Sequence, residues 1–256
     1  MGDERKRKRQ PQLDMAVAAI QGRYGPWAVA RGAPGRAAGS VPHIPTGFAE
    51  LDRALGLGGL PKGSVCEIVG PATSGKTTLA LKFLAQAQRG GNQVGYIDQA
   101  RYFDAEYAYR CGMDLSHLLA GAPQDLTEAL AMAEALARSG SLAALVLDTL
   151  DFLWDDADAA RLLAAALSRL RTPLARSGTI LLVLHESPGA RSPALSALAH
   201  TSSVRLQVKR EEWIRQYGDV RGYKARVEVL KNRQGPAGQV AQVDIEFNGT
   251  VRGNGI

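Results

Sequence analysis

Cysteine is scarce in this sequence. Cys66 and Cys111 are the only two, and they form no CxxC pair. That excludes a disulfide framework and a zinc site of the usual spacing, and each thiol reads as a small buried hydrophobe. Long apolar runs are missing as well. The best, Leu142 to Leu147 and Ile180 to Leu184, are strand-sized, well short of the roughly 20 residues that cross a bilayer. The N-terminus is charged and lacks the apolar stretch of a secretory signal. No internal repeat and no low-complexity tract beyond Ala-rich segments is visible. These absences predict a soluble, cytoplasmic protein with no membrane partner.

What is present points to one folded unit with an appendage. The 256 residues are 45% hydrophobic and 22% charged, enough for one sizeable core and too few for several large domains. Lys and Arg total 31 against 25 acids, a net charge of +6, and 23 of the 31 are Arg. The planar guanidinium suits phosphate recognition, although a general bias towards Arg, Ala and Gly produces the same excess. Arg5-Lys6-Arg7-Lys8-Arg9 reads as a solvated basic tail or a nucleic-acid arm. Leu13, Val17 and Ile20 fit one face of a short helix ending near Gly22. The Gly-, Pro- and Arg-rich stretch from Gly25 to Pro45 reads as a linker or extended arm. The expected division is therefore 1–40 as tail, helix and arm, and 41–256 as the core.

Beyond Pro45 apolar strands alternate with helices. Strands are expected at Val65 to Val69, Val94 to Asp98, Ala143 to Leu147 and Ile180 to Leu184. Helices are expected at Thr77 to Arg89, Ala105 to Arg110, Leu126 to Arg138 and Ala157 to Arg176. That order predicts an α/β fold: a mostly parallel central sheet with helices on both faces. Val204 to Lys209, Lys224 to Lys231 and Val240 to Phe247 alternate and should extend the sheet with antiparallel pairs.

Gly70-Pro71-Ala72-Thr73-Ser74-Gly75-Lys76-Thr77 fits G-x-x-x-x-G-K-[ST], follows an apolar strand and opens a helix. In such a P-loop, backbone N–H groups cradle a β-phosphate, Lys76 bridges β- and γ-oxygens, and the Thr77 hydroxyl holds Mg²⁺; Thr78 follows directly. Leu145-Val146-Leu147-Asp148 is the expected companion, an acid at a buried strand end that a cation can satisfy. A nucleoside triphosphate with Mg²⁺ is the predicted ligand, with Thr77 and Asp148 on the metal.

Thr46-Gly47-Phe48-Ala49-Glu50-Leu51-Asp52, then Leu55-Gly56 and Gly58-Gly59-Leu60-Pro61-Lys62-Gly63, leads straight into this loop. The stretch resembles the RecA family of recombination ATPases and its wider superfamily, a resemblance that narrows the ligand to ATP. Ile97-Asp98 followed by Asp104-Ala105-Glu106-Tyr107-Ala108 resembles the bacterial members more closely, which implies Asp104 and Tyr107 as adenine contacts. Val229-Leu230-Lys231-Asn232-Arg233 resembles a basic pair that reaches a neighbouring subunit's ATP, implicating Lys231 and Arg233. Ala16 to Gly32 resembles the helix and arm that dock on the next protomer. The resemblance spans residues 13 to about 254 and implies a RecA-like core that forms homo-oligomers, as a ring or a filament. The family's C-terminal domain has no counterpart in these residues.

The departures bear on function. The family carries a catalytic Glu two residues after the Asp that ends the second strand, and here that position is Ala100. The resemblance therefore implies slow or absent hydrolysis. Where the family places an amide that senses the γ-phosphate, this sequence has His185-Glu186. Glu186 is a candidate replacement base, a group that repels the γ-phosphate, or a solvent-facing acid. The family's first DNA loop is here short and acidic, with Asp151, Asp155, Asp156 and Asp158, and the second, near Glu186 to Ser202, offers Arg191 and His200. Residues 205–233 instead hold nine Lys/Arg and four acids, a surface for single-stranded DNA with Trp213 or Tyr217 as stacking platform, or a solvated hairpin. Two functions follow. One is an ATP-dependent recombination and repair protein assembling on single-stranded DNA. The other is a regulatory paralogue acting on a partner recombinase or translesion polymerase.

Overall fold

The computed structural model describes residues 2–24, 41–148, 157–186, 193–217 and 219–246. The chain divides into two units, Met1–Gly39 and Ser40–Ile256. Among the described residues of the first is the helix α1 (Gly2–Tyr24), with Pro11 inside it. This corrects the expected short helix, because the Arg5 to Arg9 run lies within α1 rather than in an unstructured tail. Lys, Arg, Gln and Ala are good helix formers, so the absence of apolar periodicity there does not prevent a helix. Of the stretch from Gly25 to Pro45 read above as a linker or arm, residues 25–40 lie outside the described residues, and His43–Ile44 form a short strand instead.

The second unit opens with a two-residue strand β1 (His43–Ile44), helix α2 (Ala49–Leu55) and β2 (Leu60–Pro61), with β1 and β2 paired antiparallel. Asp52 Oδ1 accepts from both the backbone N–H and the hydroxyl of Thr46, each at 2.8 Å, and so fixes the entry to α2. Then follow β3 (Val65–Val69), α3 (Lys76–Ala87), β4 (Gln93–Asp98), α4 (Ala105–Arg110), β5 (Leu118–Gly121), α5 (Leu126–Ser139), β6 (Leu142–Asp148) and α6 (Ala157–Ser177). The chain continues through β7 (Ile180–His185), α7 (Pro193–Thr201), β8 (Val204–Gln216), β9 (Asp219–Asn232) and β10 (Val240–Glu246).

Eight strands form one sheet in the order β10-β9-β8-β3-β7-β6-β4-β5. Every pair from β8 to β5 is parallel, and β8–β9 and β9–β10 are antiparallel. This is the mostly parallel α/β sheet with an antiparallel extension that the sequence predicts. Alternate residues of each central strand enter different cores. Cys66, Ile68, Val146, Leu182 and Leu184 pack with α2 and α3 on one face. Val65, Leu145, Leu147, Leu181 and Val183 pack with α5 and α6 on the other. Strands covered on both sides need apolar residues at every position, which is why they read as continuous hydrophobic runs. Each fully buried aliphatic side chain contributes about 1.5–3 kcal/mol.

Four elements differ from expectation for identifiable reasons. β8 and β9 run far beyond Lys209 and Lys224, and their ladder is broken by register shifts near Arg205, Arg210 and Ile214. Bulges interrupt the period-2 pattern on which strand recognition depends. β5 is a short edge strand with no residue fully buried, so it carries no hydrophobic alternation. α7 begins with Pro193, which suits the first helical position, in a region the resemblance treats as a loop.

Both cysteines are free and buried. Burial pushes the Cys66 thiol up to about 12 and the Cys111 thiol up to about 11. Neither side chain should react with a maleimide at pH 8 in the folded protein, and both should react in denaturant, as counted by mass spectrometry. Fast labelling of either thiol in the native state would contradict this packing.

Candidate phosphate-binding site

Loops at the carboxyl ends of adjacent parallel strands line up along one edge of the sheet, where ligands bind in open α/β folds. The loop after β3 is the motif Gly70 to Thr77. Its first glycine is required sterically: a Cβ on Gly70 would lie 2.3 Å from the Val208 carbonyl oxygen of β8. Gly75, the N-cap of α3, has φ 104, and Thr73 adopts φ 57 without being glycine. Left-handed residues within a tight loop turn successive N–H groups to the same side and make an anion cradle, and strain of this kind concentrates at functional sites. Lys76 folds back over the loop, its ammonium donating to the carbonyls of Gly70 at 2.7 Å and Pro71 at 2.9 Å. The Ser74 hydroxyl is buried with no hydrogen-bond partner among the described residues. Thr77 is exposed beside it. A cradle of N–H groups, an orphaned buried hydroxyl and a loop-bound lysine fit a phosphate chain.

The next strand ends carry carboxylates. Asp98 and Asp148 are register partners at the ends of β4 and β6. Asp98 accepts from the Phe103 N–H at 2.6 Å. Tyr96, two residues before Asp98 and on the same face, donates its hydroxyl to Asp148 Oδ2. Burial pushes the Tyr96 hydroxyl pKa strongly up and the Asp148 carboxylate reinforces the shift, so the tyrosine remains a donor. Among the described residues no group of three or more His, Cys, Asp or Glu is placed to hold a metal. A divalent cation here would draw its ligands from Thr77, Asp148, phosphate oxygens and water, the sparse protein set typical of Mg²⁺.

On the other side of α3, the Thr78 hydroxyl and the Tyr107 hydroxyl are 2.6 Å apart. Burial raises Tyr107 to about 12, with the Thr78 bond opposing. Asp104 is the N-cap of α4 and accepts from the Tyr107 N–H at 3.0 Å. One capping carboxylate and one tyrosine therefore tie α4 to the helix that begins at the loop.

The sequence that builds this site is similar to that of known proteins. A model of the RecA N-terminal domain matches residues 11–252. The chain belongs to the RecA family. A RecA protein of Bacillus pumilus is 34% identical over 265 residues, covering 93% of this chain and 75% of that relative. A RecA protein of Amycolatopsis mediterranei is 38% identical over 257 residues, covering 92% and 73%.

Ala100, where the resemblance noted above implies a carboxylate, is half-buried just beyond β4 and offers only a methyl group. Glu186 follows β7 directly, and its Oε1 lies 3.9 Å from the Lys76 ammonium. The structure thus brings Lys76, Glu186 and the loop together. Lys231 and Arg233 lie elsewhere, on the carboxyl end of α7. Lys231 donates to the carbonyls of Ala199 at 2.5 Å and His200 at 3.3 Å, and Arg233 also donates to His200. Cations at a helix C-terminus are held by its exposed carbonyls and dipole. Burial, followed by the Arg233 charge, lowers the Lys231 ammonium pKa. Of the acids after β6, only Asp158 is described, paired with Arg161. Residues 149–156 and 187–192, including Asp151, Asp155, Asp156 and Arg191, lie outside the described residues.

Sequence reasoning missed a row of charges beneath the loop. Glu67 of β3 is fully buried, with His185 Nε2 at 3.2 Å and Arg205 Nε at 3.4 Å. Glu67 and Arg205 are register partners, and so are Arg205 and Lys231. An acid inside the apolar run Val65-Cys66-Glu67-Ile68-Val69 was the available signal, since a buried carboxylate demands a partner. Tyr96 was missed because a buried tyrosine in a strand looks like core.

Tyr96→Phe removes one donor from Asp148 while keeping the ring. It should lower stability by about 1–3 kcal/mol in urea denaturation with the circular dichroism spectrum unchanged. Unaltered stability would contradict the assignment of this hydrogen bond.

Proposed function

We propose that this RecA-family protein binds Mg-ATP at the Gly70–Thr77 loop, assembles with further copies on single-stranded DNA in recombination and repair, and hydrolyses ATP slowly. The observation that carries the reading is the loop itself, a strained N–H cradle closed by Lys76 with the buried Ser74 hydroxyl lacking a partner. In this reading Gly70, Pro71, Ala72, Thr73, Ser74 and Gly75 supply the cradle, Lys76 neutralises phosphate charge, and Thr77 with Asp148 holds Mg²⁺. Mg²⁺ would screen the phosphate chain and polarise its terminal group. Tyr107 and Asp104 border the base, as the family resemblance implies. Ala100 leaves attacking water without a positioned carboxylate, a loss worth about 10²–10⁴-fold in rate.

Assembly in this account uses α1 and the following segment as the docking arm. It also uses Lys231 and Arg233, which exchange the α7 carbonyls for a neighbour's phosphates. The β8–β9 hairpin supports the DNA part of the reading. Trp213 is partly exposed with Arg210 4.3 Å above its ring, and Tyr217 is almost fully exposed at the turn. Aromatic faces beside cations suit unpaired bases. Ala100 also favours a second reading, a nucleotide-held regulatory paralogue that acts on a partner recombinase or polymerase without DNA of its own.

Lys76→Ala should abolish binding of a fluorescent ATP analogue while leaving the fold intact. Lys231→Ala should retain binding by the isolated chain and lose ATP-dependent sedimentation with oligo(dT). Equal loss of nucleotide binding in both variants would contradict the separate roles. DNA-independent assembly in the unmodified protein would favour the regulatory reading.

A further inference from the structure

The carboxylate of Glu186 occupies an unusual place for a site that receives phosphates. β7 is hydrogen-bonded beside β3, and the Gly70 N–H donates to the His185 carbonyl at 3.3 Å, so Glu186 begins where the loop begins. Its backbone is pinned, because His185 Nδ1 and the Glu186 carbonyl oxygen are 2.7 Å apart. An imidazole nitrogen facing a carbonyl serves as donor. The same ring is anchored at its other nitrogen by the buried Glu67, 3.2 Å away. From this fixed backbone the side chain turns to Lys76, with Oε1 3.9 Å from the ammonium. Two loop carbonyls and one carboxylate are among the groups around Lys76 in the described residues, and of these three the carboxylate carries a full negative charge.

We infer that Glu186 is a specificity residue that stands in for the terminal phosphate at Lys76, so that the site prefers a nucleoside diphosphate to the triphosphate. The inference rests on the nucleotide reading above. A β-phosphate is held chiefly by loop N–H groups, with Lys76 as one contact among several, so the carboxylate contests it less. A γ-phosphate must share the Lys76 ammonium with Glu186, and two like charges around one cation about 4 Å away repel enough to shift affinity roughly tenfold or more in a partly solvated site. The triphosphate enters only by displacing the side chain, which is two-fifths exposed and able to swing out. Nucleotide occupancy would then follow the ratio of ATP to ADP rather than ATP alone.

Isothermal titration of the full chain with ADP and with a non-hydrolysable ATP analogue, both with Mg²⁺, tests this. The unmodified protein should bind ADP at least tenfold more tightly. Glu186→Gln and Glu186→Ala should each erase most of that preference by tightening the analogue at least tenfold, with ADP affinity tightened by a much smaller factor. Equal affinities in the unmodified protein, or parallel changes for both nucleotides in the variants, would overturn the inference. So would a Glu186→Gln protein with unchanged affinities and lower turnover, which would mark the residue as a base. Failure of the unmodified protein to bind either nucleotide would overturn the nucleotide reading itself, a result distinguishable from equal binding of both.

Discussion

The close parallel packing of β3 between β7 and β8 is the constraint on which the rest depends. It brings the Gly70 backbone so near the Val208 carbonyl that only glycine fits, and it sets the His185 carbonyl against the Gly70 N–H. The chain must then turn sharply into α3, through two left-handed residues. The loop's N–H groups, the Lys76 ammonium and the neighbouring strand ends inherit their positions from that turn. A cradle made of backbone on a buried strand is preorganised, so little ordering remains to be done when an anion binds.

Buried charge ties this strand to the antiparallel extension. Glu67 is sealed within β3, and its partners come from β7 and β8, one residue before Glu186 and one register step from Lys231. Removing one member of such a cluster leaves an uncompensated charge in the interior, which costs more than the pair contributes. The row therefore specifies the relative placement of three strands at the end where the phosphate loop opens. It also puts the basic pair on the same face of the sheet as the acid beneath the loop, with the pair resting on the α7 carbonyls.

The central strands, the major helices and the phosphate loop were legible in the sequence because they follow strong local rules. Doubly covered strands are apolar throughout, and the glycine–lysine motif has one strand–turn–helix context. What escaped was non-local. The hydroxyl of Tyr96 reaches Asp148 across 52 residues of chain, and Glu67 meets His185 across 118. No periodicity encodes those meetings. The outer part of the β8–β9 hairpin, beyond Lys209 and before Lys224, escaped for a different reason, since its bulges scramble alternation. The first part of helix α1 escaped because its run of Lys, Arg and Gln shows no apolar stripe, whereas Leu13, Val17 and Ile20 marked the rest. Asp104 and Tyr107 illustrate the middle ground: their spacing was visible, whereas the cap on α4 and the tie to Thr78 needed the fold.

The central claim is that the Gly70–Thr77 loop receives nucleotide without a water-activating carboxylate at position 100. The most direct measurement is steady-state Mg-ATP hydrolysis by the unmodified protein and by Ala100→Glu, each saturated with single-stranded DNA. The account predicts turnover near the detection limit in the unmodified protein and an increase of about 10²–10⁴-fold in the variant. Rapid DNA-stimulated turnover by the unmodified protein would contradict it. So would an Ala100→Glu variant that binds nucleotide normally and remains inactive.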